Sequence, residues 1–172
     1  FMQDNPEVAY LVISKCPDVK VMDNLANTTL SWVSRFGYLD SVRYLINKGA
    51  MIDNLSIHFK TPLMEASEKG HYDIAALLVQ KGANVNRQTK KGWSALMWAA
   101  EKGYNEIVLL LIEAGADLFA KNNHGERALM IAQKNNHPET VKIIKKAEFR
   151  YWLKWILIVG GTVFIIIMIA LI

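Results

Sequence analysis

A ruler of 33 residues constrains this chain more than any other feature. Counted in steps of 33, Leu30, Leu63, Leu96 and Leu129 fall at one place in the unit, and Ala66, Ala99 and Ala132 at a second. Gly37, Gly70 and Gly103 share a third place, where the next copy has Asn136; Gly49, Gly82 and Gly115, each followed by Ala, share a fourth. Asn is the other residue that tolerates a left-handed backbone, so Asn136 fits the pattern. No insertion or deletion breaks the register from Phe1 to Lys146, and Pro6 stands four periods before Pro138. A unit this short cannot bury its own apolar face, so copies must stack and each must cover the next.

Within one copy, Thr89 to Asp117, the residues spell a turn at Lys90-Lys91-Gly92, a short helix over Ser94–Lys102, a turn at Gly103, a longer helix over Asn105–Glu113 and a stop at Gly115-Ala116. Gly ends helices well because it takes the left-handed conformation without steric cost. Ala99 and Ala100 keep the short helix thin, which lets a neighbouring copy approach closely. The same spacing predicts helices over Ser31–Phe36, Asp40–Asn47, Pro62–Lys69 and Asp73–Gln80. In the second helices apolar residues such as Ile107, Val108, Leu110, Leu111 and Ile112 recur at helical spacing, a core stripe rather than a cofactor site.

Thr61-Pro62-Leu63-Met64-Glu65-Ala66 and Gly82-Ala83-Asn84-Val85-Asn86 give the resemblance a name: the chain resembles the ankyrin-repeat family, whose unit carries T-P-L-H-x-A. The likeness covers about residues 1–147. It implies an all-α solenoid of about four and a half repeats, a partial unit at 1–22 followed by 23–55, 56–88, 89–121 and 122–147. Departures carry expectations of their own. Met64, Met97 and Met130 replace the usual His, so its hydrogen bond to the turn is lost; Phe59 and Ala26 replace the turn Gly, so those turns are expected to be less regular.

The ends differ from the middle. Phe1, Met2, Val8, Leu11 and Val12 do not make the polar outer face that a terminal unit needs, which points to a fragment of a longer chain or to a covering partner. Cys16, the single cysteine, stands where other copies have Gly49 and Gly82 and reads as a small packed side chain, with no intramolecular disulfide possible. At the other end the last second helix, from Pro138, runs on past Ala147 without Gly or Pro through a collar at 148–154.

Beyond the collar, Trp155 to Ile172 holds eighteen residues without a charge. At about 1.5 Å per residue this spans roughly 27 Å, near the hydrocarbon thickness of a thin bilayer, so the stretch reads as one transmembrane helix. Six basic residues against two acidic ones between Lys134 and Lys154 account for the whole formal charge of +4. Lys145, Lys146, Arg150, Tyr151, Trp152, Lys154 and Trp155 are the expected membrane-interface residues, basic groups for anionic head groups and amphipathic rings for the interface. The expected topology is a single-pass membrane protein with the repeats on the cytosolic or equivalent inner side, tail-anchored if Ile172 is the true end.

No chemistry emerges from the remaining residues. The four histidines, His58, His71, His124 and His137, read as lying at different repeat phases, with no pair at the i, i+4 spacing of a helical metal site. Neither a phosphate loop nor a nucleophile beside a base is present, and the basic excess sits in the collar rather than on a nucleic-acid-reading surface. The expectation is no enzyme, no cofactor, no metal, no nucleic acid and no small-molecule substrate. What the resemblance implies instead is recognition of a partner protein by the concave side, built from turn tips and exposed first-helix positions. By register these include Arg35, Phe36, His58, Lys60, Lys69, Lys90, Lys91, Trp93, Lys102 and His124, with Trp93 read as an exposed aromatic ringed by Lys90, Lys91 and Lys102. A membrane-tethered adaptor leads; an accessory subunit of a large membrane assembly, or a piece of a longer enzyme or channel, are the alternatives.

Overall fold

A computed structural model describes residues 29–55 and 59–170, with side chains described through Lys154 and at Ile156. The expectations on Phe1, Cys16, Ala26 and His58 lie outside these residues.

Eight helices occur among the described residues: α1 (Thr29–Phe36), α2 (Leu39–Asn47), α3 (Pro62–Lys69), α4 (Tyr72–Gln80), α5 (Ala95–Lys102), α6 (Asn105–Glu113), α7 (Ala128–Lys134) and α8 (Pro138–Ala170). The first helices α1, α3, α5 and α7 pack on one another in series, and the second helices α2, α4, α6 and α8 form the outer row behind them. The boundaries of α1 to α6 and the start of α8 agree with the sequence expectation within two residues, because the start and stop signals are local. The N–H of Tyr38, His71, Tyr104 and His137 each donates to the carbonyl five residues back at 3.0 Å, so four turns 33 apart close with one bond. Gly37, Gly70 and Gly103 stand at φ 82°, 80° and 72°, and Asn136 takes φ 57° in their stead.

Starts are equally local. Thr61 and Ser94 cap α3 and α5 by accepting the backbone N–H of Met64 at 3.2 Å and of Met97 at 3.4 Å. Met64 does not leave its turn wholly without a partner, as its replacement of His led one to expect: its thioether Sδ accepts the Thr61 N–H at 3.5 Å. A polarisable sulfur of the right reach makes a weak substitute for the ring nitrogen. Phe59 also departs from expectation. At φ 58° it holds the left-handed conformation that Gly92 and Gly125 hold at 75° and 76°, so the turn keeps its geometry at a backbone cost of about 1–2 kcal/mol for a residue with Cβ.

The core is the repeat written in space. Leu30, Leu63, Leu96 and Leu129 are buried at one height, Leu45, Leu78, Leu111 and Ile144 at another, and Ala66, Ala99 and Ala132 have no exposed surface at all. Each large aliphatic side chain so placed contributes about 1.5–3 kcal/mol. Between units the turn glycines are crossed by rings. A Cβ on Gly37 would come within 2.7 Å of the His71 ring, on Gly70 within 2.7 Å of Tyr104 and on Gly103 within 2.6 Å of His137.

α8 is one uninterrupted helix of 33 residues. Its first turns belong to the last repeat, with Ile144 fully buried and Thr140 Oγ1 donating to Asn105 Oδ1 at 2.6 Å. Among the described residues no helix is long and apolar enough to cross a membrane. The part of α8 whose side chains are described up to Lys154 carries Glu139, Lys142, Lys145, Lys146, Glu148, Arg150 and Lys154, far too many charges for a span. The expected span, Trp155–Ile172, falls beyond the described side chains apart from Ile156, and so does the ring of Trp155.

Candidate partner-binding face

Among the described residues, the stacked first helices and the turn fingers before α3, α5 and α7 line one face. A finger residue and a helix residue eight positions later recur along it as Lys60 with Glu68, Trp93 with Glu101 and Glu126 with Lys134. In the first and last of these an ion pair joins finger to helix: Lys60 Nζ donates to Glu68 Oε2 at 2.7 Å and Lys134 Nζ to Glu126 Oε1 at 2.9 Å. In the middle copy Trp93 replaces the charge. Glu101 is left with Lys102 Nζ at 3.5 Å, and its Oε2 is buried without a hydrogen-bond partner.

Trp93 is not the exposed, lysine-ringed aromatic that the register suggested. It is half-buried, with its ring centroid 4.4 Å from that of Trp98, because an indole beside a second indole loses more apolar surface by packing on it than by facing water. The cation over this pair comes from the previous copy: Lys60 Nζ lies 4.1 Å from the Trp98 ring centre. Lys90 instead covers Phe59 at 4.2 Å, Lys102 turns to Glu101, and Lys91 is exposed with its carbonyl accepting the Asn123 N–H at 3.0 Å. Trp98 Nε1 is buried with no partner. The structure thus gathers Lys60, Trp93 and Trp98 at one place and Lys90 with Phe59 beside it.

Further along, Arg35 is half-buried and donates from Nη1 to Glu65 Oε2 at 3.0 Å, with Glu68 Oε2 at 3.9 Å. Glu65, only 5% exposed, was invisible to register reasoning as a functional group; its sole signal is that it shares a repeat position with Trp32 and Trp98. Phe36 packs on Trp32 at 4.2 Å, Lys69 is exposed at the end of α3, and His124 is exposed in its finger. Burial pushes the Glu68 carboxyl up, but the Lys60 hydrogen bond and charge, with Lys69 and Arg35, outweigh it and hold the group below the ordinary carboxylate range. Glu126 is held below that range too, by hydrogen bonds from Asn122 and then Lys134.

The histidines fall into two phases rather than four. His71 and His137 are two periods apart and do one job: the Nε2 of each donates to the carbonyl of the preceding first helix, Arg35 O at 3.0 Å and Glu101 O at 2.9 Å. A carbonyl only accepts, so Nε2 carries the proton in both. His58 and His124 are likewise two periods apart. Among the described residues no cluster of three metal-ligating side chains occurs.

On α8, Lys145, Lys146, Arg150, Tyr151, Trp152 and Lys154 are all exposed, and Phe149, Tyr151 and Trp152 stand 59%, 62% and 56% exposed in succession, a run of rings offered to the surroundings. One side of the collar is tied down. Arg127 Nη1 donates to Glu148 Oε1 at 3.1 Å, and Tyr151 meets Phe119 edge-on at 5.7 Å. Sequence reasoning missed Phe119, although it stands where earlier copies have Asp53 and Asn86, whose side chains accept the N–H of Asn84 and Asp117 in the following copy. With no further turn to receive, the position goes apolar and takes the helix instead.

A family model described as ankyrin repeats (3 copies) matches residues 2–89 and 82–154. No curated protein matches the chain.

Proposed function

The chain belongs to the ankyrin-repeat family, and from that premise we propose that it acts as a membrane-tethered adaptor that holds a partner protein against its first-helix and finger face. The single observation that supports the reading is the half-buried Trp93–Trp98 pair with Lys60 above it, at the middle of that face. Aromatic side chains partly withdrawn from water and flanked by cations have the make-up of an interface hot spot, worth about 2 kcal/mol or more when truncated. Affinity isolation of the full chain in mild detergent tests it: Trp93→Ala combined with Lys90→Glu is expected to lose partners that the unaltered chain retains. An identical set of partners in the double variant sinks the reading.

The tether rests on composition. Eighteen uncharged residues follow a collar of exposed lysines, arginine and rings, and one rod leads from the repeats into them. An apolar helix of that length finds no lower free energy than in lipid, with the basic collar holding the repeats on the cytosolic or equivalent side. A chain cut before Trp155 is expected to leave the membrane fraction on high-salt washing, whereas the full chain stays; equal retention of both refutes the tether.

A further inference from the structure

Charge on the partner-binding face is sorted by depth. Glu65 is buried, and Glu68, Glu101 and Glu126 are half-buried; each has a basic side chain within 3.5 Å. Lys60 lies as deep as Glu68, but other lysines of the face stand farther out. Lys69 and Lys91 are exposed and make no ion pair among the described residues, while Lys102 is exposed at 45% against 26% for its partner Glu101. An approaching molecule therefore meets ammonium groups first, above carboxylates that are already neutralised.

These cations are also spaced. Lys69 and Lys102 share one repeat position at the ends of α3 and α5, and Lys91 and His124 share another on adjacent fingers. Packed helices lie about 8–10 Å apart, so the Lys69 and Lys102 ammonium groups recur at about that interval along the solenoid, as do the Lys91 ammonium and the His124 ring. A polyproline II chain advances about 3.1 Å per residue with three residues per turn, so side chains three residues apart recur on one side at about 9 Å.

We propose that the partner segment bound on this face is an acidic peptide in the polyproline II conformation whose carboxylates recur every third residue, read by Lys69 and Lys102 in one row and by Lys91 and a ring N–H of His124 in the other. This rests on the adaptor function proposed above and names the chemistry of its partner. A nucleic acid fits less well. Single-stranded bases bind by stacking on free aromatic faces, and Trp93 and Trp98 pack on each other instead of standing free.

The test uses the full chain in mild detergent and fluorescein-labelled Gly/Ser peptides carrying three Glu residues, either at every third position or contiguous. The spaced peptide is expected to bind about fivefold or more tighter than the contiguous one, and more weakly as salt rises, since exposed charges are screened. Lys69→Glu with Lys102→Glu is expected to weaken it about tenfold or more, and the neutral pair Lys69→Gln with Lys102→Gln by a smaller factor. Reversal of two exposed lysines elsewhere, Lys81→Glu with Lys142→Glu, makes the same change in net charge and is expected to leave binding within about twofold. Equal affinity for the two peptides, binding to neither, indifference to Lys69 and Lys102, or tighter binding of a thymidine oligonucleotide overturns the proposal. If acidic peptides fail while Trp93→Ala with Lys90→Glu still loses native partners, recognition by this face survives and only its acidic specificity falls.

Discussion

At the scale of single residues, the turn glycines answer two demands at once. Gly103 has φ 72° and lies against the His137 ring, whereas Gly115 has φ 86° with nothing within 4 Å of the site of a Cβ. Gly115→Ala is therefore expected to cost only the left-handed term, about 1–2 kcal/mol. Gly103→Ala adds displacement of the ring and of its hydrogen bond to Glu101, for a total of about 2–4 kcal/mol. Urea unfolding of the two variants checks the difference, and equal losses would show that the ring yields freely. Glu68 carries a second expectation at this scale. Its carboxyl titrates lower folded than unfolded, so its contribution is fully present above the unfolded value and vanishes as pH falls through the folded one. The stability gap between the unaltered chain and Glu68→Gln is expected to be constant near neutrality and to close below the ordinary carboxylate range; a gap that persists in acid means that the group contributes through packing.

At the scale of elements, α8 is the member that does two things. Its first turns complete the last repeat through Thr140 and Ile144, and its next two turns are held by the Arg127–Glu148 ion pair and the Phe119–Tyr151 contact. Residues 138–151 are thus fixed to the solenoid before the apolar stretch begins. Glu148→Lys puts two cations face to face at a partly buried site and is expected to cost about 1–2 kcal/mol locally, a five- to thirtyfold rise in amide exchange over residues 145–154. Exchange around Ile107 and Leu111 is expected to stay unchanged. A rise spread evenly through α6 and α8 would mean that the clamp supports the whole end of the stack.

For the molecule as a whole, coverage between neighbours decides which surfaces stay exposed. Met64 and Met97 are each 1% exposed, yet Met130, one period on, is 48% exposed because no further copy lies against it. Contacts run between adjacent units, so stability is close to a sum of nearest-neighbour terms. Leu96→Ala and Ile144→Ala each remove a buried aliphatic chain at a local cost of about 2–5 kcal/mol. Their reach is expected to differ. Loss at Ile144 is expected to speed amide exchange only over α7 and the start of α8, whereas loss at Leu96 is expected to spread into α3 and α6. Identical exchange patterns would point to a single cooperative unit.

The sequence alone was enough for the ruler, the helix boundaries, the family likeness and the left-handed turn at Asn136, because each depends on residues within a few positions of one another, copied every 33. It also carried the uninterrupted rod from Pro138, since nothing after Ala147 can stop a helix. Pairings between copies were beyond it. Trp93 packs on Trp98 rather than standing among Lys90, Lys91 and Lys102, Lys60 reaches forward over Trp98, and Phe59 keeps a glycine's conformation beneath Lys90. Periodicity says which residues are equivalent, but side chains choose partners by distance and direction across units, and only the folded stack sets those.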